Sequence, residues 1–458
     1  MSTPLWRRIE FDGDLLALHR RFPQRYPCLL QSVGPVSRQA RPRQARYDIL
    51  FAFPGEVLQL GADLTLQGPT AGNGTDFLAA FDRWWSACSQ PQTACPLPFS
   101  GGWFLLLGYE LAGQVEPVLR LPLAQGSGLP VACAVRVPAA VIRDHVDDGC
   151  WLVAEADEPD LLAAMAEDLR AGGSSAARPG PRTGLLAGVM EEDDPARYLR
   201  GVERIQDYIV AGDVFQVNLS RDWRGTLRAL PALDAELYAR LRRANPAPFA
   251  ALCAMDDWGV ISSSPERLVS VRGDVVETRP IAGTLAREAG SESALTRHLL
   301  RHPKERAEHI MLIDLERNDL GRICRPGTVE VDELLVLESY AYVHHLVSNV
   351  RGLKRAEVTP GEVIRAVFPG GTITGCPKVR CMEIIAELEG RPRQAYTGAL
   401  GYVNRDGSLD FNILIRTMVR ERDTLILRAG AGIVADSVPL RELEETRAKA
   451  RGMLAALA

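Results

Sequence analysis

Apolar residues fall in short runs along the first third of the chain, at 28–32, 47–53, 103–109, 131–142 and 151–154, each rich in β-branched, leucine or aromatic residues. Turn-forming clusters separate them, such as PFSGG at 98–102. Runs divided by Gly/Pro turns predict an antiparallel sheet rather than repeated βαβ units. A helical period replaces the alternation at 161–169. Farther on, Asp194 can cap a helix with Pro195 at its first position. Tyr198, Val202, Ile205 and Ile209 supply its apolar stripe and Gly212 its stop. Strands are expected at 214–219, 250–254, 260–263, 268–272 and 275–278. Helices at 362–366 and 378–388 then precede strands at 398–404, 409–419 and 424–429, and a last helix follows. Long antiparallel strands with helices outside them is the architecture this pattern predicts.

Residues 171–188, AGGSSAARPGPRTGLLAG, carry no apolar period and mark the sharpest shift in composition. They divide an N-terminal α+β lobe (1–170) and a linker (171–190) from a C-terminal domain (191–458).

Two helical stretches place acids on one face. In KERAEHIMLIDLERNDLGR (304–322), Glu305, Glu308 and His309 lie three and four residues apart, while Ile310, Leu312, Ile313 and Leu315 can meet a core. In LRELEETRAKARGML (440–454), Glu442 aligns with Glu445, and Lys449 follows one turn on. Each helix alone fits a solvated charged face. Brought together, the two acidic pairs make an oxygen-rich site for a hard cation, and Mg2+ suits it because that ion binds one or two carboxylates and keeps waters and a substrate oxyanion.

With 458 residues the chain can form two or three domains or one large two-lobed unit, and 46% apolar with 24% charged residues is ordinary for a globular protein. A net charge of −5 without runs of one sign gives no footprint for nucleic acid. No segment approaches 18 uninterrupted apolar residues and the N-terminus has no apolar signal core, so no membrane partner is expected and the setting is cytoplasmic. Nine scattered cysteines without a CxxC pair are expected to be reduced thiols.

Five further stretches offer chemistry. Glu266 follows an apolar run, where desolvation would raise its pKa and suit it to give a proton; a solvated turn glutamate is the alternative. His344 and His345 alternate along a strand, so one faces a core and the other can meet a ligand. The loop 370–378, GGTITGCPK, leads into a helix and can present N–H groups to an anion, but it lacks the spacing of a nucleotide-binding P-loop. Arg416 is a guanidinium in an apolar strand and needs an anionic partner if it faces inward. The glycines of AGAGI (429–433) allow either close approach of backbone to an anion or a tight bend.

The motifs SSSPERL, TRPIAGT, ERAEHIMLIDLERNDLGR, VHHLVS, FPGGTITGCPKVRCMEII, YTGALGY, IRTM, RAGAGIVADS and EETRAKA, in that order, resemble the chorismate-utilising enzymes. These are the anthranilate, aminodeoxychorismate, isochorismate and salicylate synthases. The set spans about residues 195–455, and LLQS, RYDI and PFSGGWFLLLGYE extend it over nearly the whole chain. The resemblance implies an α+β fold of two lobes whose large antiparallel sheets pack face to face with helices outside. It also implies that Glu308 and Glu445 bind Mg2+ directly, with Glu305 and Glu442 acting through water. Glu266 resembles the acid that assists loss of the C4 hydroxyl, and His345 the active-site histidine. Thr372, Tyr396, Arg416, Gly430, Gly432 and Lys449 resemble the residues that hold the two carboxylates of chorismate.

Water-adding members carry a lysine base where this chain has Gln216, whose amide cannot deprotonate water. That leaves the two aminating enzymes. QVNL, SRDW, VHHLVS and RYDI look like aminodeoxychorismate synthase component I. Ala282 in PIAGT stands where many such synthases have a nucleophilic lysine, and matches anthranilate synthase. Aminodeoxychorismate synthase, with anthranilate synthase as the alternative, is the expected activity. A regulatory or scaffold subunit without turnover is the remote one. The resemblance further implies an amidotransferase partner that delivers ammonia, and a tryptophan-binding segment near Ser32.

Overall fold

The computed structural model describes residues 3–33, 46–72, 74–91, 95–172, 184–286, 303–339 and 343–458; for 172, 282–286, 303–308, 339 and 343–344 it describes the backbone alone. The strand Gly102–Leu107, GWFLLL, is buried at every position. A run that is apolar on both faces must be covered on both. Leu105 and Leu107 pack against the helix Phe77–Cys88 through Phe81 and Trp84. Phe104 and Leu106 point the other way, into an aromatic layer with Phe51 and Phe99. The same logic applied to every strand gives four layers: helices, a sheet, a second sheet and helices.

Among the described residues one sheet has 12 strands and the other 11, and every pairing is antiparallel. Both sheets run across the compositional break. Cys28–Gln31 pairs with Phe249–Ala254 in the larger sheet, and Gly102–Leu107 pairs with Ala399–Asn404 in the smaller. The segments before and after residues 171–190 therefore each contribute a contiguous block of strands to both sheets of one sandwich.

Two runs that read as single strands are broken, and each break carries the chain between sheets. Residues 131–142 become Ala132–Val137 in the smaller sheet and Ala139–Asp144 in the larger, parted by Pro138, which has no N–H for a ladder. Residues 409–419 become Leu409–Ile413 and Thr417–Glu421, again in different sheets. Arg416 is thus in the corner between strands, at φ 50°, and not within one. A third crossing joins Trp258–Ser264 to Arg267–Arg272 through Pro265 and Glu266.

Helix ends follow their capping chemistry. Asp194 accepts from the Ala196 N–H, with Pro195 in the first turn, and the helix Pro195–Val210 stops before Gly212 at φ 82°. In Pro303–Gly321 the buried face is His309, Leu312, Ile313, Glu316 and Leu320, while Ile310 is 55% exposed. The sequence had assigned Ile310 to the core and His309 to the acidic face. Spacing of three and four residues from Leu312 and Ile313 selects Glu316 and His309 instead. His309 Nε2 lies 2.6 Å from Ser348 Oγ, and burial pushes its pKa down to about 4.

All nine cysteines are free thiols, as expected. Among the described residues no helix is long and apolar enough to cross a membrane.

Beneath the sheet edge that carries Gln216–Thr226, Glu389 is buried against Arg393 at 2.7 Å and Arg428 at 2.6 Å, and accepts from the Ser220 hydroxyl and N–H. Burial opposes its charge, but the two guanidiniums hold its pKa down at about 2. Removing this carboxylate leaves two buried cations unpaired. Glu389→Ala is expected to destabilise the fold by about 3–5 kcal/mol, measured by denaturant unfolding, whereas a loss below about 1 kcal/mol would contradict this account.

Candidate active site

Two of the sheet crossings lie side by side, and their backbones are joined. Ile413 N–H donates to Glu266 O (3.0 Å), Ser263 N–H to Arg416 O (3.1 Å), and Ser264 Oγ to Ile413 O (2.5 Å). The Glu266 carboxyl is 5% exposed, and its Oε1 has no hydrogen-bond partner. Burial pushes its pKa up to about 7. The charge of Glu316 adds to the rise, and Thr372, the Ile281 N–H and Arg416 oppose it. Arg416 is half-buried and, among the described residues, makes no ion pair. Burial lowers its pKa, and Glu266 is the charge that opposes this. A proton-bearing carboxyl beside an unneutralised guanidinium can take an anion and protonate one of its oxygens.

The floor of the site is the pairing of Gln216–Thr226 with Thr424–Ile433, in which Asn218 faces Gly432 and Ser220 faces Gly430. A Cβ at Gly430 would stand 2.6 Å from Leu219 O and 2.8 Å from the Tyr396 hydroxyl; at Gly432 it would stand 2.3 Å from Gln216 Nε2. Only glycine lets these polar groups close in. Gln216 Oε1 and Asn218 Oδ1 are buried without partners. Burial, against the opposing charge of Arg393, raises the Tyr396 phenol to about 12, so it remains a donor.

The helix Pro439–Leu457 borders this floor. Lys449 Nζ donates to Gly430 O (2.9 Å) and pairs with Glu445 at 2.8 Å. Glu442 lies one turn earlier. Tyr198, on the helix Pro195–Val210, has a buried hydroxyl without a partner, and its pKa is raised by burial and then by the charges of Glu442 and Glu445.

Opposite, the turn Gly371–Ile373 carries Thr372, whose buried hydroxyl lies beside Glu266. A Cβ at Gly371 would meet Leu315 at 2.5 Å, which seats the turn on the helix Pro303–Gly321. Lys378, which opens the next helix, is engaged by Asp319 at 2.5 Å. His345 is 2% exposed on Val343–Leu353, where it pairs with Thr284 and Glu338. Ala282 stands at the register shift between Ile281 and Gly283. Its side chain and those of Glu305, Glu308 and His344 lie outside the described residues.

Ser32 is elsewhere. Its N–H donates to Asp48 (2.9 Å) and its hydroxyl to Tyr47 O (3.0 Å), on the wall of an inter-sheet cavity shared with Pro248, Phe249, Arg272 and Tyr402.

Residues 61–455 match the model of the chorismate binding enzymes. An anthranilate synthase component I-like protein of Synechocystis sp. is 43% identical over 373 residues, covering 79% of this chain and 73% of that protein. Aminodeoxychorismate synthase component 1 of Bacillus subtilis is 40% identical over 395 residues, 83% of this chain and 82% of its own. The crystal structure of anthranilate synthase component I from Streptococcus pneumoniae superposes with a TM-score of 0.77 at 30% identity, covering 90% of this chain and 93% of that one. The chain belongs to the chorismate-binding enzyme family. Its fold is the α+β sandwich that the motifs implied, and it is a chorismate-utilising enzyme.

For a chorismate-binding enzyme that uses Mg2+, Glu442 and Glu445 are hard oxygen donors one turn apart, and Tyr198 adds an unpartnered oxygen beside them. The donor chemistry fits. Among the described residues no group of three or more His, Cys, Asp or Glu side chains is assembled for a metal, and the other acidic pair falls on Glu305 and Glu308.

Three residues of the site region escaped the sequence reading. Tyr198 counted only as part of an apolar stripe, and its position four residues after the N-cap Asp194 gave no sign of a polar role. Asn218 shares a strand face with Gln216 by alternation, which could have flagged it. Glu316 lies at helical spacing from Leu312, Ile313 and Leu320, an acid on an apolar face, and that pattern was readable.

Arg416→Ala removes a desolvated, unpaired cation. We expect thermal stability equal to or above that of the parent, together with a loss of chorismate affinity of at least about tenfold by calorimetry. A destabilised variant that still binds chorismate would contradict the assignment.

Proposed function

We propose that this chain is the chorismate-aminating subunit of an aminodeoxychorismate synthase, converting chorismate and ammonia to 4-amino-4-deoxychorismate and water. The observation that carries the reading is the enclosed Glu266 carboxyl, whose pKa burial pushes up to about 7, beside the Arg416 guanidinium, which makes no ion pair among the described residues. Arg416, Tyr396, Thr372 and Lys449, with the backbone at Gly430 and Gly432, would hold the two carboxylates of the substrate, and Glu266 would face its C4 hydroxyl.

In this reading ammonia attacks C2 of the ring through its lone pair. Glu266 gives its proton to the 4-hydroxyl, which leaves as water, and the double bonds shift. The added nitrogen surrenders a proton, which restores Glu266. A second ammonia then enters at C4 as the C2 amine, reprotonated by Glu266, departs as ammonia, and the new C4 ammonium returns a proton to Glu266. Ala282 offers no nucleophile for a covalent intermediate. Gln216 has no basic group for water, whereas ammonia is a nucleophile as it stands. His345, buried on the strand Val343–Leu353, would lie near the C4 side or the enolpyruvyl group. When bound by Glu308 and Glu445, with Glu305 and Glu442 behind them, Mg2+ would supply positive charge for one substrate carboxylate.

Ammonia is largely protonated at neutral pH, which favours delivery of the free base by a glutamine amidotransferase partner. A cytoplasmic setting accords with nine unpaired thiols. Tryptophan in the cavity beside Ser32 would be a ligand separate from the substrate. Anthranilate synthase is the second reading. Ala282 favours it, and the relatives are split between the two activities.

Incubation with chorismate, Mg2+ and ammonium, followed by mass detection, is expected to yield aminodeoxychorismate. Anthranilate with pyruvate would transfer the assignment to the second reading. In the same assay Glu266→Gln should lower kcat by about 10²–10⁴-fold. Because Glu266 must carry its proton, kcat at saturating free ammonia should fall as pH rises through about 7. A flat profile from pH 6 to 8.5 would remove Glu266 from the acid role.

A further inference from the structure

Glu305 and Glu308, proposed above to serve the metal, belong to the first two turns of the helix Pro303–Gly321. The polar residues that fasten this helix to the sheet have no part in the mechanism. His309, the next residue after Glu308, is 1% exposed, and its Nε2 lies 2.6 Å from the Ser348 hydroxyl on the strand Val343–Leu353. Two turns farther along the same face, Glu316 accepts from the Thr278 hydroxyl at 2.9 Å, and Asp319 pairs with Lys378 at 2.5 Å. Among the described residues, His309 is thus the polar attachment nearest the acidic end of the helix.

Ser348 is buried and serves as a junction. Its Oγ also accepts the Leu335 N–H at 2.9 Å, and its own N–H donates to Pro280 O at 3.2 Å. Leu335 stands at φ 54° in the strand Glu330–Ser339, where the register shifts between Glu333 and Val336. A leucine in the left-handed region is unfavourable, and the bond to Ser348 helps to hold the bulge there. Pro280 leads into Ile281, whose N–H supports Glu266. One serine therefore ties together the acidic helix, a bulged strand and the peptide that reaches the proposed acid. In either tautomer His309 Nε2 and the Ser348 hydroxyl supply one donor and one acceptor, a match that an apolar side chain at 309 would lose.

We infer that His309 is a positioning residue for the metal site: through Ser348 it fixes the backbone that carries Glu305 and Glu308 against the strand Val343–Leu353, and so sets the affinity for Mg2+. That ion demands near-ideal geometry, so a small displacement of the helix end is felt in binding. Contacts that orient a metal's ligands are commonly worth about 10–100-fold in metal affinity. Arg416, Tyr396 and Lys449, proposed to hold chorismate, stand on other elements and do not depend on this bond.

The inference rests on Glu308 as a Mg2+ ligand, and the test separates the two. Mg2+ is titrated by calorimetry into the full chain with chorismate bound and no ammonium, and chorismate consumption with ammonium is followed against Mg2+ concentration. His309→Leu keeps bulk and removes the hydrogen bond. It is expected to weaken Mg2+ binding about tenfold and to raise the Mg2+ needed for half-maximal rate by the same factor, with kcat at saturating Mg2+ within about twofold of the parent. His309→Gln, whose amide can still reach Ser348, should recover most of the affinity. A fall in kcat with Mg2+ affinity unchanged in His309→Leu would overturn the inference, and so would a His309→Gln as weak as His309→Leu. Ser348→Ala removes the other half of the contact and should match His309→Leu. Thermal melting of each variant identifies unfolding: if His309→Leu is unfolded, Ser348→Ala decides by the same criterion, and unfolding of both makes the contact merely structural and overturns the inference. Glu308→Gln is the control. Parent-like Mg2+ affinity there removes Glu308 from the metal site, and the inference falls with it, whereas a loss in Glu308→Gln with none in His309→Leu overturns the inference alone.

Discussion

Sheets packed face to face stand about 10 Å apart, and a chain gains at most about 3.3–3.6 Å per residue. A connector of two or three residues between them is therefore close to taut. Pro265–Glu266 and the corner Leu414–Arg416 are such connectors, and backbone hydrogen bonds tie one to the other. Glu266 and Arg416 have their Cα atoms in these connectors, so their separation is fixed by sheet packing rather than by loop preference. Placing reacting groups on so short a tether is a form of preorganisation that a mobile loop could not supply.

The same constraint explains the electrostatics. Where one sheet passes into the other, Glu266 is buried and Arg416 half-buried, so both are partly or wholly removed from water. Glu266 is pushed toward neutrality, and Arg416 is held at φ 50° without an ion pair among the described residues. An unneutralised buried guanidinium is unfavourable in the free protein, and a strained backbone adds to that. Both become intelligible if an anion binds there. The Glu389–Arg393–Arg428 cluster is the contrasting case: its charges are paired, its acid is held near pKa 2, and it braces Tyr396 from below without offering an open valence.

The other wall depends on glycines in a sheet. Gly430 and Gly432 let Tyr396 and Gln216 approach a strand that would otherwise exclude them, and Gly371 lets the Thr372 turn rest on the helix Pro303–Gly321. Crossings between the larger and the smaller sheet, a glycine-lined strand and a buried helix face thus carry the candidate residues. Each brings polar atoms that lack partners within the protein.

Period and punctuation in the sequence determined the antiparallel strands, the capped helix at Asp194 and the reduced thiols, because these depend on local backbone chemistry. The ordered motifs determined the family. What the sequence could not determine was which apolar run would turn. Residues 131–142 and 409–419 look like single strands because both halves are apolar, and only the second sheet, supplied by residues far away in the chain, makes the break at Pro138 and at Arg416 favourable. For the same reason the two segments flanking 171–190 share both sheets, each as a block of adjacent strands, an arrangement of long-range pairing that composition does not encode. The pKa of Glu266 and the burial of Glu316 were likewise tertiary outcomes: a carboxyl's charge depends on what excludes water from it, and that is decided by the packing of distant elements.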